Sequence, residues 1–315
     1  MQALVDEAWH RYRDVQDGEI AKYIPALARA CSDAFGLCVV GTDGTMFAAG
    51  DARDVFSIQS VAKPFVFALV CDVFGEREVR AQIGVNATGF SFDSVMAIEL
   101  NEERTMNPMV NAGALATTSL APGKSADDKW RFIREGLSRF AGRELAMNED
   151  VYRSEVATNR RNRGIARLLE SYGRLYFDAE ATTDIYTRQC ALEINAADLA
   201  IMGATLADGG VNPHTNERVV RANVCKHVLA ALAIAGMYER SGDWLYDIGL
   251  PGKSGVSGGM VTIVPGKGGM GAFAPLLDAA GNSVKGQLAA KFLSERLGLN
   301  LFASNPRTEA PRGLS

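Results

Sequence analysis

Ser60 and Lys63 stand three residues apart at the head of an apolar run from Pro64 to Cys71. If that run is a helix, both side chains sit in its first turn and share a face, with Cβ atoms about 5–6 Å apart. A lysine amine so close to a serine hydroxyl can replace histidine as the base that activates a nucleophile. The condition is severe. Moving a lysine from about 10.4 to about 7 costs roughly 4.6 kcal/mol, and only burial or a second nearby cation supplies that much. The apolar run after Lys63 offers the burial.

A second candidate is Gly249-Leu250-Pro251-Gly252-Lys253-Ser254-Gly255-Val256-Ser257-Gly258-Gly259. Its Gly-Lys-Ser is no phosphate loop, because that motif needs a glycine at position 247, which is Asp247. Gly123-Lys124-Ser125 fails in the same way, with Thr118 at the required position. Lys-Ser-Gly entering a strand instead resembles the Lys-Thr-Gly element of serine penicillin-recognising enzymes, which lies against the nucleophile. There a backbone N–H completes an oxyanion hole, and Lys253 would be the second cation near Lys63. Glycines on both sides let such a strand approach closely.

Polar residues in apolar surroundings form the third set. Asn107-Pro108-Met109-Val110-Asn111-Ala112-Gly113-Ala114 places Asn111 at a tight helix start. Glu155 precedes Asn162 by about two helical turns, so the pair can project from one face. Tyr186 and Tyr238 each precede apolar stretches. Only His10, His214 and His227 are present, and none has zinc-hydrolase spacing. Catalysis needs a base other than histidine, and no metal or cofactor is expected.

These groups must be held by a framework, and the apolar periodicity indicates one. Residues 1–34 read as helical, with a second amphipathic run from Tyr23 to Ala34. Leu37–Val40 and Thr45–Ala49 read as strands around Thr42-Asp43-Gly44, a hairpin signal. Helical spacing then dominates, as in Trp130–Phe140, Gly164–Leu175 and Ala196–Leu206. Strand character returns at Val261–Val264 and Met270–Ala274, and Ser283–Leu297 reads as a closing helix. The economical fold is α+β, an antiparallel sheet formed from both chain ends with an inserted helical lobe. We expect one catalytic domain over 1–304. Its sheet lobe takes about 1–59 and 247–304, its helical lobe about 60–246, and 305–315 form a polar tail.

The chain has 315 residues, with 33 Lys and Arg against 37 Asp and Glu, a net charge of −4. That balance argues against a phosphate-bound nucleic-acid partner. No apolar stretch approaches the ~20 residues of a membrane span, and the N-terminus lacks a signal-peptide pattern. Five cysteines without short Cys-x-x-Cys spacing read as reduced core thiols. A cytoplasmic protein is expected.

Taken in order, these segments resemble the bacterial and mitochondrial-type glutaminases, which have a serine β-lactamase-like fold. The resemblance rests on Ala21–Pro25, Phe56–Lys63, Asn107–Ala114, Ser154-Glu155, Arg161-Asn162, Tyr186–Leu192, Gly236-Met237-Tyr238 and Gly249–Gly259. It implies hydrolysis of L-glutamine to L-glutamate and ammonia, with Ser60 as nucleophile and Lys63 as base. It also implies substrate binding by Tyr23, Ser60, Asn111, Glu155, Asn162, Tyr186, Tyr238 and the Val256 backbone, in a homodimer or homotetramer. Departures are Gly252 in place of alanine, Ser257 within the glycine run, and the glycine-rich turn Gly266–Gly269. A free amino acid carries an ammonium, which Glu155 can pair, and a carboxylate, which amides and tyrosines can bind. Tyr238 or Lys63 would protonate the leaving ammonia. Two other readings fit the same dyad: a Ser-x-x-Lys amidase, esterase or β-lactamase-like hydrolase of another substrate, and a catalytically dead amino-acid sensor.

Overall fold

The computed structural model describes residues 1–104 and 106–304. The expected tail over 305–315 lies outside the described residues. In chain order the strands are β1 (Gly36–Gly41), β2 (Met46–Gly50), β3 (Phe56–Ser57), β4 (Glu193–Ile194), β5 (Gly252–Ser254), β6 (Gly259–Val264) and β7 (Gly268–Phe273). Five of them form one antiparallel sheet in the order β2-β1-β7-β6-β5. Its central seam joins the two chain ends, with Gly36 opposite Phe273 and Gly41 opposite Gly268. β3 and β4 form a separate two-stranded patch, with Phe56 opposite Ile194.

The first helices are α1 (Gln2–Tyr12), α2 (Ala62–Phe74), α3 (Glu76–Ile83), α4 (Met96–Leu100), α5 (Asn111–Leu120) and α6 (Ala126–Ala141). They are followed by α7 (Glu149–Thr158), α8 (Arg160–Ser171), α9 (Ala179–Cys190), α10 (Ala196–Ala207), α11 (Ala222–Ala235), α12 (Ser241–Asp247) and α13 (Val284–Leu297).

Strand alternation divides the sheet between two cores. Cys38, Val40, Val261, Ile263 and Phe273 face the helical lobe with α2 and α10. Leu37, Met260, Met270 and Ala272 face the opposite side, where α1 and α13 cover them. α10 begins with a capping box, in which Asn195 and Asp198 satisfy each other's backbone N–H. Its residues are buried on every side, as an apolar-all-round helix requires. The helix lies so close to β7 that a Cβ at Gly271 would run into the Ala196 carbonyl.

Two expectations are corrected. Tyr23–Ala34 is not an amphipathic helix; only Leu27–Arg29 makes a short 3-10 turn. Pro25 has no N–H for a helical bond, and the Ala26 N–H is taken by Ser154 Oγ at 3.1 Å. Cys31 is an exposed thiol, whereas Cys38, Cys71, Cys190 and Cys225 are buried.

Candidate active site

Ser60 lies in the 3-10 turn Gln59–Val61, which connects β3 to α2. Gln59 there adopts φ 49°, a left-handed conformation unusual for a residue with a side chain. Lys63 follows in the first turn of α2, whose buried residues run unbroken from Ala62 to Cys71. Ser60 is 7 % exposed and Lys63 2 %. Burial lowers the Lys63 amine to about 8, with Cys190, Glu155 and Asp93 pulling it partly back up.

Lys63 Nζ donates to Asn111 Oδ1 at 2.7 Å and to the Met109 carbonyl at 3.2 Å. Among the described residues it has no hydrogen bond to Ser60, whose hydroxyl lies close enough to the Tyr238 phenol to pull the phenol's pKa down against burial. Catalytic hydrogen bonds often tighten only when substrate is bound. Tyr238 itself sits at φ 55° in the 3-10 turn before α12. Its hydroxyl donates to the Ser254 carbonyl at 2.9 Å, and burial raises its pKa.

β5 brings Lys253 to the same place. Its Nζ donates to the Ser254 carbonyl at 2.7 Å and lies 4.0 Å from the Tyr238 ring centroid. Lys253 is wholly buried, and burial together with the Lys63 charge pushes it well below its usual value. Glycine is needed beside it: a Cβ on Gly255 would press on Val61 and on the Ile58 carbonyl at 3.0 and 3.1 Å. In the turn that follows, the Val256 N–H has no hydrogen-bond partner among the described residues.

Ser60 lines a cavity of ≈ 300 Å³ together with Tyr23, Asn111, Glu155, Asn162, Tyr186 and Val256. Asn111, at the first position of α5, donates through Nδ2 to Asn162 Oδ1 at 2.9 Å. Its Oδ1 also takes the Tyr186 hydroxyl at 3.4 Å. Glu155 on α7 is buried, which pushes its carboxyl up to about 7 against the pull of Gln59 and Lys63. Tyr23 stands 57 % exposed.

Glu155 and Asn162 reach the cavity from two helices rather than one. The chain breaks at Asn159, so α7 ends at Thr158 and α8 starts at Arg160. Lys63, Lys253 and Tyr238 are not wall residues of this cavity; they lie behind it.

A family model described as Glutaminase matches residues 18–302. The chain belongs to the glutaminase family. Its members hydrolyse the amide bond of glutamine. Glutaminase 2 of Yersinia pestis is 59 % identical over 306 residues, covering 97 % of this chain and 90 % of its own. A glutaminase of Colwellia psychrerythraea is 46 % identical over 302 residues, covering 96 % and 97 %. Among solved structures, the probable glutaminase ybaS superposes with a TM-score of 0.95 at 42 % identity, covering 96 % of this chain and 98 % of that one. A probable glutaminase from Bacillus subtilis complexed with 6-diazo-5-oxo-L-norleucine gives 0.88 at 33 % identity, covering 96 % and 97 %. The α+β architecture is thus the serine β-lactamase-like fold of the glutaminases.

The cavity has wall residues that sequence reasoning did not single out. Gln59 donates to Glu155 Oε2 and to Ser57 Oγ, each at 3.3 Å. Its place beside Ser60 was the available signal. Phe92 and Asp93 arrive from the irregular segment between α3 and α4, where no periodicity marks them. The Arg161 Nε is 2.9 Å from both the Asp93 carboxylate and its carbonyl. Cys190 and Asn159 complete the inner wall.

Proposed function

We propose that the cavity hydrolyses L-glutamine through a γ-glutamyl ester on Ser60, with Lys63 as the base. The observation that carries this reading is the buried Lys63 amine, lowered to about 8, one turn from a buried serine on the cavity wall. At pH 7 roughly a tenth of such amines are neutral, against about one in three thousand for an ordinary lysine.

Glu155 receives the substrate ammonium. Burial pushes its carboxyl up to about 7, and an arriving ammonium favours the ionised form. Tyr23, Asn111, Asn162 and Tyr186 supply donors for the substrate carboxylate. The Ser60 hydroxyl then turns from Tyr238 toward Lys63, loses its proton to the amine, and Oγ attacks the side-chain amide carbon. The developing oxyanion takes the free N–H of Val256 and that of Ser60, donors worth ~10²–10³ each in rate.

The C–N bond breaks as the leaving nitrogen takes the proton that Lys63 holds, directly or relayed through Tyr238, which leaves Lys63 neutral as ammonia departs. Water attacks the ester carbonyl, Lys63 accepts its proton, and glutamate leaves with Ser60 restored. Lys253 acts here as a hydrogen-bond donor that fixes the Ser254 carbonyl, and with it the Tyr238 hydroxyl. Its depressed basicity argues against the fixed-cation role expected of it.

The working protein is a cytoplasmic homo-oligomer, dimer or tetramer. Buried free thiols support a reducing compartment. Exposed Val95, Met96, Leu100 and Tyr172 offer an apolar patch that a second copy would cover.

The test is labelling with 6-diazo-5-oxo-L-norleucine followed by peptide mapping, alongside ammonia release from glutamine. An adduct on Ser60 with ammonia release supports the reading. An adduct on Cys190, or glutamine binding without turnover, overturns it.

A further inference from the structure

The outer face of the sheet does not meet α13 along its whole length. Between them lies a cavity of ≈ 590 Å³ walled chiefly by Val39, Phe47, Val264, Met270, Leu293 and Leu297. It shares no residue with the catalytic cavity. Its volume falls within the ~300–1,000 Å³ of ordinary small-molecule sites, which combine apolar walls with a few placed polar groups.

Thr262 is one such polar group. On β6 it alternates with Val261 and Ile263, which face the helical lobe, so its side chain is on the α13 side. It is 2 % exposed and lines the cavity, yet its hydroxyl has no hydrogen-bond partner. Buried hydroxyls are ordinarily satisfied; this one is unpartnered and closed off, so a ligand pairs with it by displacing the side chains that cover it. At the mouth stands Lys267, in the exposed turn between β6 and β7. Among the described residues its ammonium takes part in no ion pair. Asp43, at the same mouth, accepts from the Thr45 N–H at 2.9 Å and keeps its negative charge, so an anionic group must seat on the Lys267 side.

We propose that this cavity binds a small amphipathic carboxylate, with an aliphatic body against the α13 wall, a hydroxyl at Thr262 and the carboxylate at Lys267. Thr262 is two residues from Val264, about 7 Å along the strand, and the lysine side chain adds its own length. A chain of about eight carbons therefore spans floor to mouth.

Calorimetry of the full chain with 8-hydroxyoctanoate, octanoate and octylamine tests it. The hydroxy acid should bind about tenfold more tightly than octanoate, and octylamine not at all. Thr262→Val should erase the tenfold preference while octanoate binds as before. Lys267→Glu should weaken both acids at least tenfold. Val264→Phe should abolish binding with an unchanged melting temperature; if that variant does not fold, Thr262→Val and Lys267→Glu decide. No binding of either acid to the native chain overturns the proposal, as does a preference that survives Thr262→Val. Binding that appears only when the chain is ended at Ser304 also overturns it, by assigning the cavity to residues 305–315.

Discussion

Lys63 Nζ lies 2.7 Å from Asn111 Oδ1, and the same asparagine holds Asn162 through its Nδ2 at 2.9 Å. The amine proposed as base is thus positioned by a residue of the cavity wall. Its direct hydrogen-bond partner is a neutral amide, so burial outweighs the upward pull of Glu155 and Asp93 on its basicity.

Asn111→Asp places a carboxylate at that hydrogen-bond distance. An adjacent negative charge favours the protonated amine, by about 1–3 units in comparable pairs. The acid limb of kcat/KM against pH should move upward by at least one unit, and activity at pH 7.5 should fall about eightfold or more. Measuring the full profile checks this, and an unmoved limb would separate Lys63 from the base role.

Ser60→Ala should abolish ammonia release while changing unfolding free energy by no more than about 1 kcal/mol, because one small hydroxyl is removed. Denaturant titration beside the activity assay distinguishes a lost nucleophile from a lost fold. Substantial residual turnover would exclude Ser60 as nucleophile.

Glu155 titrates near 7 in the folded protein and near 4.5 when unfolded. Between those values the folded state holds the extra proton, so stability falls as pH rises through the window. Glu155→Gln removes that loss. Relative to the native chain, the variant should gain up to about 3 kcal/mol between pH 4.5 and 7. Melting temperatures across that range test it, and parallel curves would show that Glu155 is not held neutral by burial.

Lys253→Met removes one of the two hydrogen bonds on the Ser254 carbonyl and leaves the one from Tyr238. A hydrogen bond of ordinary strength is worth about 1 kcal/mol, so kcat/KM should drop about fivefold with its acid limb in place. A downward charge effect from a required cation would instead make the limb move up when Lys253 is removed.

Much of this arrangement was legible because apolar periodicity marks both buried strands and central helices. The end-to-end sheet followed from strand signals before Gly50 and after Gly255, and the Ser60–Lys63 pair from its apolar sequel. Other features depend on tertiary partners that local patterning does not encode. Tyr23–Ala34 fails to form its helix because Pro25 interrupts it and Ser154 captures the Ala26 N–H. Glu155 and Asn162 sit on separate helices because the chain breaks at Asn159. Phe92 and Asp93 reach the cavity on an irregular segment, held where Arg161 grips Asp93.

The most direct measurement is the titration of Lys63 in protein carrying ¹³C at the lysine ε-carbon, with Lys63→Met identifying the resonance. A midpoint near 8 is the result this account requires. A midpoint at the ordinary lysine value, above 10, would leave the amine a spectator and contradict it.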